Sequence, residues 1–154
     1  MNVSTAKVVH ALQVRNAYAE WLNEFKWTYW ATFTTVYKLT MPSARRAMEG
    51  MFKEISKAGK VTIFYVIEPF DLKEGYHLHA LVALEGNLKY NHIINLWQYL
   101  SGNKKLKKGK TAEGKSIWNR TDLQKYNPKL GARHYVGKYM TKAMCDYDIL
   151  TNQK

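Results

Sequence analysis

Two β-forming runs joined by a very short connection constrain this fold more than anything else in the chain. Val61-Thr62-Ile63-Phe64-Tyr65-Val66-Ile67-Glu68 is rich in β-branched and aromatic residues. Tyr76-His77-Leu78-His79-Ala80-Leu81-Val82-Ala83-Leu84 is apolar but for its start and two histidines. Both compositions suit a packed, pleated surface. Pro69 to Gly75 makes the connection. A parallel crossover needs a dozen residues or more, so the strands must be antiparallel neighbours. Side chains alternate between the faces of a strand, so His77 and His79 point the same way. An antiparallel neighbour can carry Glu68 beside them, whereas a slip of one residue turns it to the other face.

The remaining elements can be read around this hairpin. Thr5 to Phe25 has roughly helical spacing of Val8, Leu12, Ala19, Leu22 and Phe25, which suits a packing arm or partner surface. Trp27 to Tyr37 reads as a strand, with Tyr29, Ala31, Phe33 and Thr35 on one face and Trp30, Thr32, Thr34 and Val36 on the other. Pro42 suits a first helical turn. Ala44, Ala47, Met48, Met51, Phe52 and Ile55 then repeat at helical spacing up to Gly59, which reads as the stop. A short helix from Tyr90, a lysine-rich loop, a strand over 116–123 and a helix over 132–145 complete the chain. After the first helix the order is β-α-β-β-α-β-α. The expected class is α+β, a ferredoxin-like split βαβ arrangement with an antiparallel sheet, helices over one face and the tyrosine-bearing helix at the C-terminus. One domain over 1–154 is expected, with 1–26 as an N-terminal helical extension.

Charge narrows the partners. The 154 residues carry 24 Lys+Arg against 12 Asp+Glu, a net +12 with pI near 9.7. That imbalance draws polyanions, nucleic acid before an anionic membrane. Aromatics at 14% suit unstacked bases better than duplex grooves. Lys104, Lys105, Lys107, Lys108, Lys110 and Lys115, followed by Trp118 and Arg120, form the candidate DNA-binding segment. The alternative is a solvated loop for at least half of these lysines. Trp118 or Trp97 could stack on a base, although Trp97 suits the core better. The single cysteine, Cys145, excludes an internal disulfide and a cysteine-based zinc cluster. No apolar run approaches ~18 residues, so a cytoplasmic protein with no membrane partner is expected.

Glu68, His77 and His79 would offer two imidazoles and a carboxylate to one ion. The alternative is polar residues at a solvated strand end. No H-E-x-x-H is present. With phosphate oxygens and water completing the shell, Mg²⁺ or Mn²⁺ is the expected ion. Asp71 and Glu74 in the turn are weaker ligand candidates. Arg133-His134-Tyr135-Val136-Gly137-Lys138-Tyr139-Met140-Thr141-Lys142 places two tyrosines four residues apart, each with a lysine three residues later. On a helix both rings share a face. They read either as core-edge aromatics beside solvated lysines or as phenols poised for attack on phosphorus. The second role needs help, since free tyrosine has a pKa near ~10.

A histidine-hydrophobic-histidine strand followed by a Tyr-x-x-Lys helix resembles the HUH endonucleases, the replication initiators, relaxases and related transposases that nick and rejoin single-stranded DNA. Ala31-Thr32-Phe33-Thr34-Thr35 resembles the first-strand motif of the initiators, His77-Leu78-His79 the signature, and Tyr135 to Lys142 the tyrosine motif. The resemblance covers residues 27–145. The doubled tyrosine resembles the two-tyrosine initiators of small single-stranded DNA phages, whose nucleophiles alternate. By this resemblance Glu68 is the third metal ligand, Tyr135 the first nucleophile and Tyr139 a second nucleophile or helper. Lys138 and Lys142 contact or activate the phosphate. The implied activity is nicking at a rolling-circle origin through a 5′-phosphotyrosine. The implied partners are single-stranded origin DNA, in some origins a hairpin, and a host helicase or polymerase; the implied source is a plasmid, phage or virus. The relaxase histidine triad is absent, as is any G-x-x-x-x-G-K-[ST], so unwinding must come from elsewhere or from a longer protein of which this is a fragment. A non-catalytic single-strand or RNA-binding module and a single-domain transposase are the competing readings.

Overall fold

The computed structural model describes residues 3–35, 37–72, 74–86, 88–100, 121–136 and 146–153. In chain order the elements are α1 (Val3–Leu22), β1 (Tyr29–Phe33), α2 (Met41–Ser56), β2 (Lys60–Pro69), β3 (Tyr76–Glu85), α3 (Tyr90–Leu100), β4 (Asp122–Lys125), α4 (Gly131–Val136) and β5 (Asp146–Thr151). The strands form one antiparallel sheet in the order β4-β1-β3-β2-β5. β3 lies between β1 and β2, which α2 connects, so the α+β architecture is compatible with a split βαβ, ferredoxin-like fold.

Local chemistry explains the element boundaries. Thr40 caps α2 by accepting a hydrogen bond from the Ser43 amide at 3.2 Å, and Pro42 occupies the first turn, where an amide donor is dispensable. The helix ends at Ser56, with Lys57 still in right-handed conformation. Gly59 is therefore not the stop that its position suggests. A Cβ there would meet the Glu85 carbonyl oxygen at 2.3 Å, so glycine lets β2 begin against the end of β3. β1 is shorter than expected. Beyond Phe33, the Thr34 amide and hydroxyl engage the Thr121 hydroxyl at 3.2 and 3.3 Å, and the Trp97 indole donates to the Thr34 carbonyl. Thr34 is thus taken up by side chains where a longer strand would require a ladder partner. Trp97 is fully buried, which removes it as a base-stacking candidate.

Both faces of the sheet carry helices, not one. Ala31, Phe33, Ile63, Ile67, Leu78 and Val82 meet α2 and α3 in the larger core. Phe64, Val66, Leu81 and Ala83, on the opposite face, meet Leu22 of α1, Trp27, and Ala132 and Tyr135 of α4. The last turns of the N-terminal helix therefore belong to the fold, as a packing arm would. β5 is an additional strand beside β2. β4 begins at Asp122 and continues to Lys125, further along than expected; residues 116–120 lie outside the described residues. Among the described residues no helix is long and apolar enough to cross a membrane.

Candidate metal centre

The β2–β3 register puts Glu68 directly opposite His77 and Val66 opposite His79. Residues opposite one another in an antiparallel pair share a face. The Glu68 carboxylate therefore rises between the two imidazoles, with Oε1 4.0 Å from Nε2 of His77 and Oε2 3.6 Å from Nε2 of His79. One ligand atom from each residue fits within a 4.8 Å set. Donors sharing a cation at 2.0–2.2 Å stand about 3–3.5 Å apart. Closure by roughly an ångström would complete a three-ligand site, and open positions would remain for substrate and water.

The surroundings favour an ion. The side chains of Glu68, His77 and His79 are 4%, 13% and 12% exposed. A carboxylate so far from water requires a positive or donor partner. Phe70 stacks on His77 with ring centroids 4.4 Å apart, and Trp30 stacks on His79 at 6.2 Å. Thr32 Oγ1 is 3.3 Å from Nδ1 of His79. None of these three supports is identifiable as such without the register. Alternation alone puts Trp30 and Thr32 on a common face; pairing of Thr32 with His79 brings them to the site. Glu74 is drawn away by Lys38 at 2.8 Å, and that hydrogen bond holds its carboxyl below the usual range. Asp71 is exposed and, like Glu74, lies outside the ligand group.

Tyr135 lies on the triad's face of the sheet, where it lines one small cavity with Trp30, Val66 and His79. Its ring is 5.4 Å from Trp30 and 4.9 Å from Tyr126, and it is 8% exposed. Its hydroxyl accepts a hydrogen bond from the Asn127 amide at 3.0 Å. Asn127 follows the Lys125 end of β4, whereas Asp122, at the other end, is level with Thr32 and His79. Burial, and then the neighbouring Tyr135, raises the Tyr126 phenol above its ordinary value, so this layer disfavours phenolate there. Lys138, Tyr139, Lys142 and Cys145 lie outside the described residues, as do Lys104, Lys105, Lys107, Lys108, Lys110, Lys115, Trp118 and Arg120.

Comparison with protein families, with curated proteins and with solved structures finds no match.

Proposed function

We propose that this protein is a metal-dependent endonuclease that nicks and rejoins single-stranded DNA, acting as a rolling-circle replication initiator. The observation that carries this reading is the convergence of Glu68, His77 and His79 on one ligand-sized point, on the sheet face that also packs against the tyrosine-bearing element. The basic balance of the chain supports a polyanionic substrate.

The Glu68 carboxylate and the Nε2 atoms of His77 and His79 would hold Mg²⁺ or Mn²⁺, which when bound supplies Lewis acidity toward a phosphoryl oxygen and offsets charge during attack. A tyrosine oxygen forms the bond to phosphorus, the bond from phosphorus to the 3′-oxygen breaks, and a 5′-phosphotyrosine and a 3′-hydroxyl result. The proton lost by the phenol is matched by the one gained at the 3′-oxygen. Because the phosphodiester energy is retained, the reverse step rejoins strands without ATP.

In this reading Tyr135 is the first nucleophile and Tyr139 a second nucleophile or helper. The Tyr135 hydroxyl accepts a hydrogen bond from the Asn127 amide, which leaves its own proton free to be lost. Lys138 and Lys142 hold the phosphate or favour the phenolate. On the same reading the lysine-rich segment contacts the DNA backbone.

Nicking of labelled single-stranded origin DNA should require Mn²⁺ or Mg²⁺ and stop in EDTA. Alanine at Lys104, Lys105, Lys107 and Lys108 should flatten the salt dependence of binding, by about 0.7 in log–log slope for each phosphate that is no longer neutralised. The competing reading is a non-catalytic single-strand-binding module; binding indifferent to EDTA, with no cut, would establish it. Mapping cuts to an element end instead of an origin would indicate a transposase.

A further inference from the structure

We infer that Thr32 is a positioning residue that sets His79 as an Nε2 ligand; the inference rests on the metal reading above and extends it to a residue outside the ligand set. Thr32 and His79 are directly paired across β1 and β3, and Thr32 Oγ1 lies 3.3 Å from Nδ1 of His79. Nε2, the other ring nitrogen, faces Glu68 at 3.6 Å. A neutral imidazole has one protonated and one lone-pair nitrogen. For Nε2 to present its lone pair to a cation, Nδ1 must carry the hydrogen and donate it. Thr32 Oγ1, a hydroxyl that can accept as well as donate, is placed to accept that hydrogen. Without it, the Nδ1–H form loses its partner. The ring can also rotate away at little cost.

Trp30 complements this restraint from another direction. Its ring stacks on His79 with planes 15° apart, and its indole N–H is pinned to Gln124 Oε1 at 3.0 Å. Stacking limits tilt, while the hydroxyl selects between edges of the ring. The two effects are separable, because valine at position 32 keeps the branched shape of threonine and removes only the acceptor. Hydrogen-bonded supports of metal-bound histidines typically change affinity by 10–100-fold when removed.

The test uses Thr32→Val and Thr32→Ser in the full chain, with Mn²⁺ alone as the probe. Calorimetric titration should show Mn²⁺ affinity reduced about 10–100-fold in T32V and retained within a few-fold in T32S. All three proteins should melt within a few degrees of one another. Equal Mn²⁺ affinity in T32V and wild type, or a loss in T32S as large as in T32V, would overturn the role of the Thr32 hydroxyl while leaving the metal site standing. A wild type that binds no Mn²⁺ would instead overturn the metal reading, and this inference with it.

Discussion

Leu78 and the two histidines flanking it are consecutive residues that face opposite halves of the molecule. Leu78 is fully buried against α2 and α3 in a layer built almost wholly from apolar side chains. His77 and His79 face the other way, where Leu22, Trp27 and Phe64 form an apolar core and Glu68 and the histidines form the ionisable cluster. The same strands therefore support two different surfaces. One face excludes water throughout and supplies most of the burial that holds the sheet. The other combines packing with a cluster of candidate ligand atoms. Strand alternation makes the separation possible, because each residue's parity decides which task it serves.

The two faces should respond differently to mutation. The largest expected effect is on activity: His77→Ala or His79→Ala should reduce Mn²⁺-dependent nicking below detection, while thermal stability without metal changes little. A loss of folding in step with activity would show these residues to be structural. Leu78→Ala should do the converse. Removing this fully buried side chain should cost about 2–5 kcal/mol in denaturant unfolding. The fraction that remains folded should still bind Mn²⁺ with wild-type affinity.

A smaller effect separates the faces from the apolar side. Burial, opposed by Arg45 and reinforced by Asp148, pushes the Tyr65 phenol up to about 12. In the unfolded chain it titrates near ~10. Below about pH 10 both states are protonated and stability is unaffected. Between about pH 10 and 12 only the unfolded chain ionises, so stability falls as pH rises, by about 2–3 kcal/mol in all. Tyr65→Phe should abolish that alkaline loss in urea melts at pH 8, 10 and 11.5. It should cost little at pH 8, because the hydroxyl has no hydrogen-bond partner among the described residues.

The hairpin that carries the ligands was legible because its evidence is local. A short connection forces antiparallel pairing, and the resulting register pairs Glu68 with His77. α2 was legible for the same kind of reason, through helical spacing and Pro42. β5 was not. Asp146-Tyr147-Asp148-Ile149-Leu150-Thr151 carries two aspartates in a short run, and its strand state depends on pairing with β2 and on Arg45, which engages both Asp146 and Asp148. Those are long-range facts. Thr32 was missed as a histidine support because its partner is 47 positions away. The orientation of Tyr135 was equally hidden. Helical spacing gave its face, but the hydrogen bond to Asn127 decides where its hydroxyl points.

The nicking proposal requires a phenol to attack a phosphate held at the Glu68–His77–His79 site. The decisive experiment is peptide mapping of the covalent adduct formed when the full chain meets labelled single-stranded origin DNA and Mn²⁺, with Tyr135→Phe, Tyr139→Phe and His79→Ala run in parallel. The expected result is a phosphotyrosine on the peptide spanning Tyr135 and Tyr139, lost or greatly reduced in Y135F, less affected in Y139F, and absent in H79A. No adduct under any metal condition, or an adduct that forms equally well in H79A, would show the nicking proposal to be wrong.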